Sequence, residues 1–295
     1  MHRPQGTATR TLLRILLPLV LLTALLLTGC ASKSASDSSN TKDGSTATTF
    51  TPGAAGPSGA VDAGRAVGYF CDGEAVVPVR LDARADDVLG GLEALFAGPT
   101  PAAKAVGYTS AIPAGSRVLN VDIDAGTATV DVSTEFGSGG GSSSMQLRVA
   151  QVVFTLTRDP AVKQVVFKMD GKPVTALGGE GLSLAEPQTR KDWESASPKI
   201  LVETPVLGDS ISGLADVAGT AFVPLGRFKL SLKGADGFTI ATVQVSVEGS
   251  GTVRASFDES LTITADAGKA TITPWYASSA DGSRVIPMQV PVVVK

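Results

Sequence analysis

The sequence predicts an α+β chain: a ββαββαβ sheet-and-helix domain over residues 65–178, followed by an all-β immunoglobulin-like sandwich over 199–295. Three observations carry this. Residues 65–178 mix runs that alternate apolar and polar with two apolar sets at helical spacing. Residues 199–295 hold about seven short strand-like runs and no helical set, in the ~100 residues such a sandwich uses. Between them, over 179–198, the apolar pattern stops, and Gly178, Gly179, Gly181, Pro187 and Pro198 break the chain as a linker would.

The elements follow in order. Ala66–Cys71 and Ala75–Leu81 are predicted strands, with Asp72-Gly73 as their turn. Val88, Leu89, Leu92, Leu95 and Phe96 recur at helical spacing, and Gly98-Pro99 stops that helix. Val118–Ile123 and Thr127–Val132 alternate around Asp124-Ala125-Gly126, a hairpin. Ser143 and Gln146 have the spacing of a capping box that opens a second helix through Leu147, Ala150, Val153, Phe154 and Thr157. Pro160 ends it, and Val162–Met169 is a strand. Such an order implies helices on one face of a sheet. In the sandwich the predicted strands are Lys199–Glu203, Asp216–Val223, Phe228–Lys233, Phe238–Val247, Val253–Thr264, Lys269–Tyr276 and Val285–Val294. The two-cysteine staple of antibody domains is missing, and Trp275 is expected in the core.

Ahead of these domains lies a secretory signal. Arg3, Arg10 and Arg14 precede a short apolar run over 15–28, the layout of an n-region and h-region. The run is shorter than the ~20 residues of a membrane span and contains Pro18. Leu27-Thr28-Gly29-Cys30 resembles the lipobox of bacterial lipoproteins. That resemblance implies cleavage after 1–29, a diacylglyceryl thioether on Cys30 and further acylation such as palmitate. More than one acyl chain makes a stable membrane anchor. Residues 30–64 are rich in Ser, Thr, Ala, Gly and Pro, with Phe50 the one aromatic, and are expected to form a disordered tether.

Removal of 1–29 takes three arginines and no acid, leaving 22 basic against 28 acidic residues. An acidic chain gets no general pull toward nucleic acid or anionic lipid, and no basic stripe is evident to override this. The signal also takes His2, the sole histidine of the sequence. Within one chain that excludes Cys/His zinc sites and Ser-His-Asp or Cys-His catalysis. With Cys30 acylated, Cys71 is the remaining thiol. A buried reduced thiol is the default for it, and an intermolecular disulfide the alternative.

The first domain resembles the sporulation and spore-germination (GerMN) domain over about 65–176. The resemblance rests on Val67-Gly68-Tyr69-Phe70, the block Leu92 to Pro99, the block Ser110 to Gly115, the block Ala128 to Ser133, the block Gln151 to Thr157, and Asp170-Gly171. The second is similar to the immunoglobulin-like domain of bacterial spore germination proteins. There the carriers are the block Ile200 to Pro205, the block Val217 to Ala221, and Asp236-Gly237. Both resemblances imply an extracytoplasmic, non-catalytic protein of the cell envelope or of sporulation and germination.

Five constellations invite chemistry, and the first four have plainer readings. Backbone amides of Gly137-Ser138-Gly139-Gly140-Gly141-Ser142-Ser143-Ser144 could cradle an anion at a helix start, though a flexible connection is favoured. Asp122, Asp124 and Gly126 mimic the start of a calcium loop, but its twelfth position is Ser133 rather than Glu. Asp131 and Glu135 could act as acid and base on a glycan, yet nothing places them across a cleft. Gln151 and Thr155 share a helix face, where satisfying nearby backbone is favoured over binding a ligand. The aromatics Tyr69, Tyr108, Trp193, Trp275 and Tyr276 are the candidates for a sugar platform.

Neither a catalytic residue, nor a metal ligand, nor a cofactor site is expected. The leading functional expectation is a lipid-anchored scaffold on the outer face of the cytoplasmic membrane. It would bind an envelope protein or self-associate. Peptidoglycan or another envelope glycan is the alternative ligand, and a carboxylate-only wall hydrolase the least favoured reading.

Overall fold

A computed structural model describes residues 64–178, 181–249 and 251–295. The expected signal segment 1–29, Cys30, the tether as far as residue 63, and Gly179 lie outside them. β1 (Arg65–Asp72) and β2 (Ala75–Arg84) form an antiparallel hairpin. Gly73 turns it at φ +60°, a conformation that side chains with a Cβ resist. α1 (Val88–Phe96) is capped by the Asp87 carboxylate, which accepts from the Gly90 N–H at 2.8 Å. α2 (Pro101–Ala105), which the periodicity does not predict, is one turn with Thr100 as its cap. β3 (Val118–Asp124) and β4 (Thr127–Val132) pair around Ala125 and Gly126, both at positive φ, the turn that matches strand twist.

α3 (Ser142–Leu156) then crosses back to β5 (Gln164–Met169), which runs parallel to β4. β6 (Lys172–Pro173) completes a four-stranded sheet of order β3-β4-β5-β6. The element order is the predicted ββαββαβ with α2 added. Both α1 and α3 pack on the β1–β2 hairpin, and they reach the sheet at β3 and β5 respectively. The expected capping box is not formed: α3 begins at Ser142 after Gly141, with no side chain capping it. The loop ahead of it is shaped by Arg148, described below. A capping box does occur at Thr189 and Asp192, where carboxylate and hydroxyl close the entry to the 3₁₀ turns Arg190–Ala196. Those turns, with β7 (Ala176–Leu177) and β8 (Leu182–Ser183), make up much of the stretch between the domains. Leu184, Gln188, Trp193 and Ala196 are buried there.

The remaining strands are β9 (Ile200–Thr204), β10 (Ser210–Ile211), β11 (Leu214–Ala221), β12 (Arg227–Gly234), β13 (Thr239–Ser246), β14 (Ala255–Thr262), β15 (Gly268–Ala277), β16 (Arg284–Val285) and β17 (Val290–Val294). They form two sheets, β14-β11-β9 and β10-β17-β15-β12-β13, with β16 beside β15. Inward residues such as Val217, Leu230, Phe257 and Ile272 are buried between them. Phe228 and Phe257 meet edge to face across the gap at 5.0 Å. The predicted strand Val285–Val294 is two strands, interrupted at Pro287, which has no N–H for a ladder. Trp275, expected in the core, is half-buried and lies outside it. On β15 the even positions Ala270 and Ile272 face inward, so Trp275 falls on the outer face with Thr271 and Thr273.

The two halves share one continuous apolar core. Between them the backbone of β2 meets the loop after β9, where the Arg80 N–H donates to the Leu207 carbonyl at 3.0 Å. The Arg80 guanidinium lies side-on to Asp209, Nε to Oδ1 at 2.9 Å and Nη2 to Oδ2 at 2.8 Å. Both side chains are at most 5% exposed. Further bonds complete the pair: Arg80 donates to the Arg65 carbonyl, and Asp209 accepts from the Val206 N–H. A buried pair satisfied in this way is costly to break and cheap to replace whole. Asp209→Ala is expected to lower unfolding stability by about 3–5 kcal/mol in a urea titration. The double change Arg80→Met with Asp209→Leu should recover only part of that loss, because it leaves the Val206 N–H without its acceptor.

Candidate functional site

β1 pairs with β2 along one edge only, so its other edge must find partners inside the protein. α3 supplies them. Thr155 Oγ1 accepts from the Tyr69 N–H at 3.0 Å, and Gln151 Nε2 donates to the Tyr69 carbonyl at 2.8 Å. Gln151 Oε1 accepts from the Ala111 N–H at 2.8 Å, tying the loop after α2 to the same point. Cys71 and Thr109 exchange backbone bonds and extend the pairing along the same edge. Gln151 and Thr155 are thus brought together, as their spacing predicts, and both serve the backbone. Cys71 is buried and free. Burial pushes its thiol up to about 11, which suits an inert group rather than a nucleophile.

The Tyr69 side chain leaves β1 on the way to the sandwich. Its phenol donates to Glu203 Oε1 on β9, and the same carboxylate oxygen takes Arg190 Nη1 at 2.7 Å. Arg158 donates to the Glu203 carbonyl at 2.9 Å. The Arg190 guanidinium also lies 4.9 Å from the Phe154 ring centroid. Burial, reinforced by the Glu203 charge, pushes the Tyr69 phenol up to about 12, so it remains a neutral donor. Burial opposes ionisation of Glu203, but Arg190, the Tyr69 hydrogen bond and Arg158 together outweigh it and hold the carboxyl below its ordinary value. Tyrosine, carboxylate and arginine together could pass for catalytic machinery. Tyr69 is wholly buried, however, and the bonds described join β1, α3, the 190 turn and β9. The cluster is a seam between the halves. It escapes sequence reasoning because its members are far apart in the chain.

The other candidates are dispersed. The glycine run is wrapped around Arg148, whose guanidinium donates to the carbonyls of Phe136, Ser138 and Gly139. Carbonyls face inward there, the opposite polarity to an anion cradle. Desolvation lowers the Arg148 pKa, and its Nε lacks a partner. Asp122 and Asp124 are exposed on the β3–β4 hairpin. Among the described residues no three His, Cys, Asp or Glu side chains gather as a metal site would require. Asp131 accepts from the Gly171 N–H at 3.1 Å and pins the turn after β5. Glu135 faces Arg117 at 4.0 Å. Tyr69, Tyr108 and Trp193 are buried, which leaves Trp275 and Tyr276 as partly exposed aromatics.

A cleft of about 490 Å³ opens between the halves. Asp72, Val106 and Tyr108 line one side, and Thr271, Pro287, Gln289 and Pro291 the other. The Tyr108 hydroxyl donates to the Gln289 carbonyl at 3.1 Å and bridges the floor. Burial and the Asp72 charge push that phenol up to about 12 as well. On the outer face of β15, Trp275 is approached by two cations, with Arg284 4.3 Å and Lys229 5.3 Å from its ring centroid.

Residues 67–175 match the Germane family, described as sporulation and spore germination. Among solved structures, the first GerMN domain of the sporulation protein GerM from Bacillus subtilis is 24% identical, with a TM-score of 0.37. The match covers 43% of this chain and 98% of that one. The tandem GerMN domains of the same Bacillus subtilis protein are 18% identical, with a TM-score of 0.38. That match covers 78% of this chain and 60% of that one. No curated protein matches the chain.

Two expected outcomes test the seam. Gln151→Leu strands the Tyr69 carbonyl and the Ala111 N–H, each at about 1–3 kcal/mol in a denaturant titration. For Glu203, a depressed folded pKa contributes stability that is present above the unfolded value and lost as pH falls through the folded one. Stability should therefore decline on acidification below its ordinary 4.5. Glu203→Gln should flatten that acid limb and lower stability at neutral pH by roughly 2–4 kcal/mol, less than for a fully buried pair.

Proposed function

We propose that the protein is a lipid-anchored, extracytoplasmic interaction module that works by contact in an envelope or sporulation-related assembly. The observation that carries this reading is the use made of the polar residues. Gln151, Thr155, Tyr69, Glu203, Arg190, Arg80 and Asp209 are all engaged in joining one part of the chain to another. Such a seam presents two folds in a fixed relation, which favours recognition over turnover. The Germane match and the lipobox-like Leu27-Thr28-Gly29-Cys30 support the same setting. Cys30, on this reading, carries the diacylglyceryl group. No helix among the described residues is long and apolar enough to cross a membrane.

The partner on this reading is an envelope protein or a second copy of the chain. Binding of an envelope glycan is the second reading, favoured by the placement of Trp275 on an outer sheet face with Lys229 and Arg284 over its ring. Metabolic labelling tests the anchor: Cys30→Ser should abolish incorporation of labelled palmitate and shift the chain from the membrane to the soluble fraction. Retained labelling would overturn it. Crosslinking in intact cells followed by detergent capture tests the module. A discrete crosslinked species is expected, and a chain that stays monomeric and uncrosslinked would count against it.

A further inference from the structure

We propose that the outer face of the larger sandwich sheet binds a polyanionic envelope glycan, an extended polymer bearing phosphate or carboxylate groups. This rests on the glycan reading and narrows it to a charge class and a surface. Strand alternation sends Arg227, Lys229 and Lys233 of β12, Lys269 of β15 and Arg284 of β16 to this face. Around them on the same face are Thr242, Gln244, Thr271 and Trp275, with Ser231 and Thr273 buried beneath, and no Asp or Glu among them. The opposite sheet turns Asp216 and Asp258 outward. The sandwich is therefore polar in charge, basic on one side and acidic on the other, within a chain whose overall balance is acidic.

None of the five cations takes part in an ion pair among the described residues. Acids come near only at the margins: Asp236, Glu248, Asp266 and Asp281 lie on the turns at the ends of the strands, and Asp72 lines the cleft. Lys229 and Arg284 flank one indole, so their charges lie within about one Debye length of each other and repel. An anion laid across them relieves that repulsion. The indole is itself fixed, since its Nε1–H donates to Ser231 Oγ at 3.2 Å, which also accepts from Thr242 at 3.1 Å. Two cations held by a fixed ring lose less freedom on binding than two free side chains would.

The relief of the surface favours a polymer over a bilayer. Thr271 and Pro291 of this face also line the cleft whose far side is Asp72, Val106 and Tyr108. A wall therefore stands along one margin of the face. An extended chain can lie beside it, passing from the cleft toward Trp275 and the two cations over its ring. A flat membrane surface cannot reach the row next to the wall.

The test uses the full chain in a neutral detergent, with affinity measured for delipidated poly(glycerol phosphate), for polygalacturonate, for neutral dextran and for purified peptidoglycan. Binding to one or both polyanions, weakened by salt and absent with dextran, is expected. Lys229→Glu with Arg284→Glu should weaken it at least about tenfold without changing the melting temperature. Trp275→Ala should weaken it too. Binding to peptidoglycan with none to either polyanion would overturn the charge assignment and leave the glycan reading standing. Equal binding by the Lys229/Arg284 variant would overturn the surface. In vesicles with brominated tails, quenching of Trp275 that depends on phosphatidylglycerol would assign the face to the bilayer and overturn the proposal; the buried Trp193 would not respond.

Discussion

A strand with an unpaired edge inside a protein core must have every polar group on that edge answered, and β1 is such a strand. Tyr69 is where the answers converge. Its N–H and carbonyl are taken by Thr155 and Gln151 of α3, and its phenol by Glu203 of the sandwich. The residue thus fixes β1 against α3 by its backbone and against β9 by its side chain. Remove either set and a buried polar group is stranded in a low-dielectric interior, where the penalty is a few kcal/mol rather than tenths. Arg80 and Asp209 repeat the arrangement one strand over. The two contacts fix the relation between the halves in different ways.

Period and turn chemistry made much of the fold legible. The hairpins at Gly73 and at Ala125-Gly126, the helices opening at Val88 and near Ser143, and most sandwich strands carry their signal within ten residues or so. What was not legible has a common cause. α2 is one turn, too short for a periodic signal, and it is held by the Thr100 cap and Pro101. β10 is two residues long and exists because β17 lies beside it. The capping box suggested by Ser143 and Gln146 yields to a demand from farther along the helix, the need of Arg148 for carbonyl partners. Thr189 and Asp192 form such a box at a spacing that the sequence offers equally well.

The seam leaves no local signal. Gln151 and Thr155 sit a turn apart, and their common structural role followed from that spacing. Their target did not, because Tyr69 lies more than eighty residues away. Tyr69 and Glu203 are 134 positions apart, and Arg80 and Asp209 are 129. Nothing in either local pattern distinguishes these four from ordinary surface or core residues of their strands. Polar residues that close a domain junction look like candidate chemistry until burial and partners are known. Here both point to a structural use.

Charge illustrates the converse error. Summed along the chain, acids exceed bases, and the sum argues against any anionic partner. A sum discards position, and a sheet restores it. Every second residue of β12 faces one way, so the run Arg227-Phe228-Lys229-Leu230-Ser231-Leu232-Lys233 is at once an apolar inner ladder and a cationic outer one. Alternation also turns Trp275 outward and brings it opposite Lys229, a pairing that no count of aromatics could contain. Net charge governs the distant field, but a polymer lying on the surface meets the local one, because screening cuts off what is more than about 10 Å away. An acidic protein can therefore present a basic face, provided its acids are segregated to the opposite sheet and to the turns, as Asp216, Asp258, Asp236 and Asp266 are.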